Sequence, residues 1–199
     1  MYIAKRMAAF FVRIGIISEE RQTVEIYEYG LELILADLIN FAVILLISSM
    51  LQGVGSGILY LMCFVSVRIF SGGFHARTHL RCGIAMVLFY LLFVLVCRGI
   101  ISVGAEVLIV GTMIAYIPLL KWVPVRNENR PLNDSKRRKN RYRAIVSYIA
   151  WTITATLFVS FGMQWGKEIL LTLWVVSINI IFAQFVKFVE GCERNEEIN

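Results

Sequence analysis

Six apolar runs, each close to the thickness of a bilayer core, follow one another along the chain at residues 31–51, 54–70, 82–97, 100–120, 144–163 and 169–189. A hydrocarbon core of about 30 Å takes roughly 20 helical residues, so the runs predict six transmembrane helices. The second and third are short enough to borrow flanking residues. Ahead of them Ile3, Met7, Phe10, Ile14 and Ile17 recur at helical spacing, with Lys5, Arg6 and Arg13 elsewhere on the wheel. That is the pattern of an amphipathic helix lying in the membrane interface over residues 1–17. Arg13 interrupts the stretch and no small-residue cleavage site follows, which argues against a signal peptide. Ser18, followed by Glu19, Glu20 and Arg21, reads as the cap of a second helix that runs into the first span. The fold class is therefore all-α: a polytopic membrane protein with about six transmembrane helices and an N-terminal interfacial helix. Residues 1–199 form a single membrane domain, and residues 121–143 form a loop.

Composition agrees: 58% of the 199 residues are hydrophobic and the mean hydropathy is +0.71, beyond the apolar share of soluble domains. The net charge of +6 would suggest nucleic acid in a soluble protein. Here its distribution argues otherwise, because 18 of the 20 basic residues fall in alternate connections, leaving only Arg98 and Lys167 for the opposite side. By the positive-inside rule the basic side is cytoplasmic, and so are both termini. Nine of the cations lie between Lys121 and Arg143, where Pro124 and Pro131 stiffen a segment ending in KRRKNRYR. Such a stretch can set topology and bind anionic lipid headgroups, or dock an acidic peptide through Arg137, Arg138 and Lys139.

Chemistry concentrates in one place. Residues 71–82 read SGGFHARTHLRC and hold both histidines of the chain, with Arg68, Arg77 and Arg81 around them. Thiolate attack by Cys82 needs a sulfur that ionises readily, and a position where the third span begins would place it at the positive end of a helix dipole. Backbone N–H groups at Cys82 and Gly83 would then be free to hold an oxyanion. On a straight helix His79 lies about 5–6 Å from Cys82, whereas His75 is about 10.5 Å away along the axis. Gly72 and Gly73 permit a fold-back that would bring His75 to the sulfur instead. Two other readings stand beside this one: His75, His79 and Cys82 as zinc ligands on one helical face, without the glutamate of a metalloprotease motif, or a solvated basic loop with no chemistry.

The remaining polar features of the spans read as structural. Cys63 and Cys97 behave as small hydrophobes. Asp37 in the first span pairs with Arg68 in the second, the two being brought together by a turn over residues 52–57. Gly57, Gly83 and Gly111 allow close helix packing and could support a homodimer.

The stretch from Arg68 to Cys82, with GG before His75, Ala76 after it and a cysteine seven residues on, resembles the signature of the accessory gene regulator B (AgrB) proteins, membrane cysteine endopeptidases of bacterial quorum sensing. The chain length, the multi-span layout and the segment PVRNENRPLNDSKRRKNRYRA fit the same family. The resemblance implies His75 and Cys82 as the catalytic pair, Arg68 and Gly73 in support, and His79 as an extra histidine. The chain must then bend between His75 and Cys82, or the two must meet across subunits. It implies no cofactor and no metal, and a partner in an autoinducing-peptide precursor. The acidic tail of that precursor would be removed through a thioester, and the remainder closed into a thiolactone or lactone. A transporter or scaffold of a peptide export system is the alternative.

Overall fold

The computed structural model describes residues 2–17, 20–72, 79–100, 102–125 and 133–196. They fold into α1 (Tyr2–Arg13), α2 (Arg21–Leu51), α3 (Val54–Ser71), α4 (His79–Ile100), α5 (Ala105–Trp122), α6 (Asp134–Ser160) and α7 (Gln164–Glu196), with no strand among the described residues. Helices α2 to α7 are each long and apolar enough to cross a bilayer. The chain is an all-helical, multi-pass membrane protein. In lipid every backbone N–H and C=O must pair within its own segment, which is why apolar runs of this length become helices.

Helix α7 is the post of the bundle. It packs against α3, α4, α5 and α6, and Ile169, Leu170, Leu171, Leu173, Val175 and Ile180 are completely buried. Lipid tails are as apolar as these side chains, so close fit and interhelical hydrogen bonds have to hold the helices together. Gly111 of α5 lets the Trp174 ring lie against the backbone, and Trp174 Nε1 donates to Thr112 Oγ1 at 2.9 Å. Tyr148 of α6 donates its hydroxyl to the Thr112 carbonyl at 3.2 Å. Gly166 sits beneath the Ala155 carbonyl, and Trp151 Nε1 reaches Ser66 Oγ on α3 at 2.7 Å.

Helices α3 and α4 run side by side without close backbone contact, and aromatic rings fill the interval. Tyr60 stacks on Phe64 at 5.2 Å and meets Tyr90 at 5.0 Å and Phe93 at 4.9 Å. Helix α2 lies against α1, α3 and α4 and leaves most of its surface exposed. At 31 residues it is about 46 Å long, more than the roughly 30 Å core requires. Its first turns extend past the core and carry α1, with Lys5 Nζ 3.6 Å from Glu28 Oε1. Helix α1 buries Ala4 and Ala8 and leaves Phe10 exposed, so it packs by its small residues and keeps a large apolar one outside.

Several expectations change. The turn after α2 is only Gln52 and Gly53; Gly55 and Gly57 are already helical, and Gly57 receives Ser48 of α2. The Ser18 cap lies outside the described residues, and α2 opens after Glu20. Residues 121–143 are not all loop, because α6 starts at Asp134 and carries Lys136 to Arg143 in its first turns. Gly57, Gly83 and Gly111 are each filled by Ser48, Asn40 and Trp174 of the same chain, so they serve internal packing rather than a dimer seam.

A methyl group added at Gly111 would overlap the Trp174 ring, whereas one added at Gly30 meets nothing within 4 Å. Gly111→Ala should therefore lower stability by about 1–3 kcal/mol, while Gly30→Ala should leave it equal or raise it by about 0.5–1 kcal/mol. Thermal unfolding in detergent micelles measures both, and equal effects would refute the packing role of Gly111.

Candidate functional site

The connection from α3 to α4 begins with a sharp stop. Gly72 caps α3 with φ 70°, a left-handed conformation that suits glycine, and its N–H bonds the Arg68 carbonyl at 3.0 Å. Gly73, His75 and Arg77 lie outside the described residues. Helix α4 resumes at His79, three residues before Cys82 and so on the same helical face; the side chains of His79 and Arg81 are also outside the description.

Cys82 is a half-buried free thiol. Arg68 reaches it across the α3–α4 interval, Nη2 donating to Sγ at 3.8 Å, and the same guanidinium lies 5.5 Å from the centre of the Phe64 ring. The residues brought together here, Arg68 and Cys82, are 14 apart in sequence. The sulfur thus has a charged hydrogen-bond donor supplied by a neighbouring helix.

Two sequence expectations fail at this site. Asp37 is exposed and forms no ion pair with Arg68 among the described residues. The helix dipole argument also shifts. Because α4 opens at His79, Cys82 is its fourth residue, and the Gly83 N–H is used within the helix ladder. The free N–H groups of that first turn belong to residues 79–81.

On α2, Asn40 lies against the residue following Cys82. A Cβ built on Gly83 would fall 2.6 Å from Asn40 Oδ1 and 3.0 Å from Nδ2. Sequence reading gave Asn40 no role, although a lone amide in an apolar span is a signal in its own right.

A second cluster forms where α5 ends and α6 begins. A cavity of about 520 Å³ is lined by Lys121, Trp122, Asp134, Arg137, Arg138, Arg141, Gln184 and Lys187, with Val123 and Pro124. Positions 134, 137, 138 and 141 share one helical face. Arg137 and Arg138 line the cavity and Lys139 does not, while Lys121, Arg141 and Lys187 join from outside the expected trio. Arg141 also caps α5, Nη2 donating to the Leu120 carbonyl at 2.7 Å. Next to the cavity lining, the Val125 N–H bonds the Ser71 carbonyl at 3.0 Å, which ties the exit of α5 to the end of α3. Arg143 lies over the Phe70 ring at 5.6 Å. Among the described residues no group of three or more His, Cys, Asp and Glu could hold a metal ion.

With this geometry in view, the comparison with known proteins is specific. Residues 4–186 match the family described as accessory gene regulator B. The chain belongs to the AgrB family. It is also 23% identical over 198 residues to a Clostridium beijerinckii protein named as AgrB-like, covering 98% of this chain and 95% of that one. No solved structure matches it significantly. Family membership gives this AgrB chain a role in the agr quorum-sensing system, where the family acts with a propeptide substrate.

In this AgrB chain the Arg68 contact should govern how fast Cys82 reacts. Hydrogen bonds to charged groups contribute about 1.5–3 kcal/mol, so Arg68→Ala should slow alkylation of Cys82 by iodoacetamide at neutral pH about ten-fold or more. Arg68→Lys keeps the charge and should retain part of the rate. Mass spectrometry of the labelled Cys82 peptide reads the outcome, and an unchanged rate in Arg68→Ala would confine Arg68 to packing on Phe64.

Proposed function

We propose that this AgrB chain is a membrane-embedded cysteine endopeptidase that removes the C-terminal tail of an autoinducing-peptide precursor and promotes cyclisation of the remainder. The reading rests above all on the 3.8 Å contact between Arg68 Nη2 and Cys82 Sγ, at the entrance to the segment that carries His75. Cys82 is the nucleophile, and His75 takes the thiol proton and later passes it to the leaving amine. Sγ adds to the carbonyl carbon at the tail junction, the C–N bond breaks, and the tail departs with a new amino terminus. A thioester on Cys82 remains.

The basic cavity supplies the tail's counterpart. Five cations face one acid, Asp134, and the Val125–Ser71 hydrogen bond ties the exit of α5, beside the cavity, to the end of α3. Amide to thioester exchange is uphill, so holding and then releasing the acidic tail draws the step forward. Transfer of the acyl group to a thiol or hydroxyl of the peptide itself closes the ring, favoured over hydrolysis where water is scarce. The charge asymmetry supports a cytoplasmic position for this end of the bundle and for both termini.

Full-length protein in liposomes, given its precursor peptide, should release a C-terminal fragment, and Cys82→Ser should insert normally yet release none. Cleavage by Cys82→Ser would overturn the reading and favour a scaffold or export role. Within the cavity, Arg137→Gln with Arg138→Gln should reduce fragment release and its sensitivity to salt, while Lys139→Gln should leave both unchanged. Equal losses from all three would show that overall loop charge, not the cavity, matters.

A further inference from the structure

The reaction proposed above needs a donor for the oxyanion, and the N–H of Gly83, the residue after the nucleophile, is not free to be one. As Sγ adds to the carbonyl carbon, the π pair of the C=O moves onto oxygen, and that charge requires a preorganised hydrogen-bond donor. With α4 opening at His79, the Gly83 N–H is bonded inside the helix. The free N–H groups of α4 belong to residues 79–81, and a side chain from a neighbouring helix can add a donor beside Gly83.

We propose that Asn40 is a catalytic residue whose side-chain amide donates to the oxyanion formed at Cys82. This rests on the endopeptidase reading and adds a group that sequence and family resemblance left without a role. Asn40 comes from α2, the helix that touches both α3 and α4. Its amide lies directly on Gly83, 2.6 and 3.0 Å from where a Cβ would stand, and consecutive Cα atoms are about 3.8 Å apart. The amide thus lies against the residue that follows the nucleophile. Glycine at 83 is what admits it.

Asn40 is half-buried and makes no hydrogen bond with any described residue. An amide within a transmembrane helix costs free energy when left unpaired, so its donors are available to an incoming oxygen. Either end of the amide can face the site after a half-turn. Arg68 approaches the sulfur from α3, and Asn40 approaches the following residue from α2. The charged donor serves the sulfur, and the neutral one serves the oxygen. When the oxyanion collapses, its electron pair reforms the C=O, the C–N bond breaks, and the amine leaves with the proton first taken from Cys82.

Two reagents separate this role from a packing role. Acylation of Cys82, by the precursor peptide or by p-nitrophenyl acetate, passes through an oxyanion; alkylation by iodoacetamide is a displacement at saturated carbon and does not. Using full-length protein in liposomes, with Cys82 adducts read by mass spectrometry, Asn40→Ala and the isosteric Asn40→Asp should each slow acylation by the precursor roughly 100-fold. Acylation by p-nitrophenyl acetate should slow in the same direction, and alkylation should be unchanged. Gly83→Ala, which displaces the amide, should slow acylation too, and its effect should not add to that of Asn40→Ala. Acylation at the wild-type rate in Asn40→Asp overturns the proposal, as does an equal fall in acylation and alkylation, which would make Asn40 a support for the sulfur. Precursor cleavage by Cys82→Ser would sink the endopeptidase reading itself, a separate result.

Discussion

The interval between α3 and α4 sets the geometry of the reactive end. Side chains rather than backbone contacts hold these two helices in register: Tyr60 and Phe64 from one, Tyr90 and Phe93 from the other, with ring centres about 5–6 Å apart. Aromatic pairs at this spacing contribute about 0.5–1.5 kcal/mol beyond the area they bury. Within a bilayer they supply fit where the hydrophobic effect gives no preference between protein and lipid. A gap of this width is what an extended arginine spans, and Arg68, four residues along from Phe64, bridges it to Cys82. Smaller rings would let the helices close, and the guanidinium would have to turn away from the sulfur.

The bundle was legible because its signal is long and redundant. Each apolar run offers many residues to a single question, whether the segment crosses, and each run has one helix over most of its length, although α5 opens at Ala105 rather than 100 and α6 ends at Ser160 rather than 163. The ends were less legible, because they depend on single residues. The basic segment shows why: nine cations and two prolines read as loop, yet from Asp134 onward Lys136, Arg137, Arg138, Lys139 and Arg141 are all good helix formers or neutral to helix, and α6 takes them in. Applying the spacing of three and four residues to that stretch would have separated Arg137, Arg138 and Arg141 from Lys139.

The site was legible in its members and not in its pairings. Arg68 and Cys82 stood out by residue type, but nothing in their spacing says that Asp37 faces lipid rather than Arg68. A helix of 3.6 residues per turn offers every height of α2 several directions, and only the packing of α2 against α3 and α4 together chooses among them. That packing turns Asn40 inward and Asp37 out. The glycines carried a similar ambiguity. Gly57, Gly83 and Gly111 each permit a close neighbour, and sequence alone does not say whether that neighbour is a second copy or the same chain. The Ser48, Asn40 and Trp174 side chains answer for the same chain.

One hydrogen bond joins the two halves of the candidate site, and its position has a consequence for specificity. The Val125 N–H to Ser71 carbonyl bond ties the exit of α5 to the last residue of α3, the helix whose Arg68 reaches the thiol. On the proposed reading, a precursor is held twice, by its acidic tail in the cavity and by its scissile carbonyl at Cys82. Both are fixed to one rigid corner of the bundle. Tail binding then becomes positioning, since each residue placed between tail charge and scissile bond shifts the carbonyl relative to Sγ by up to about 3.3–3.6 Å, more than a near-attack geometry tolerates. The distance along the peptide from its acidic segment to the cut, rather than the residues at the cut alone, would select the bond that Cys82 attacks.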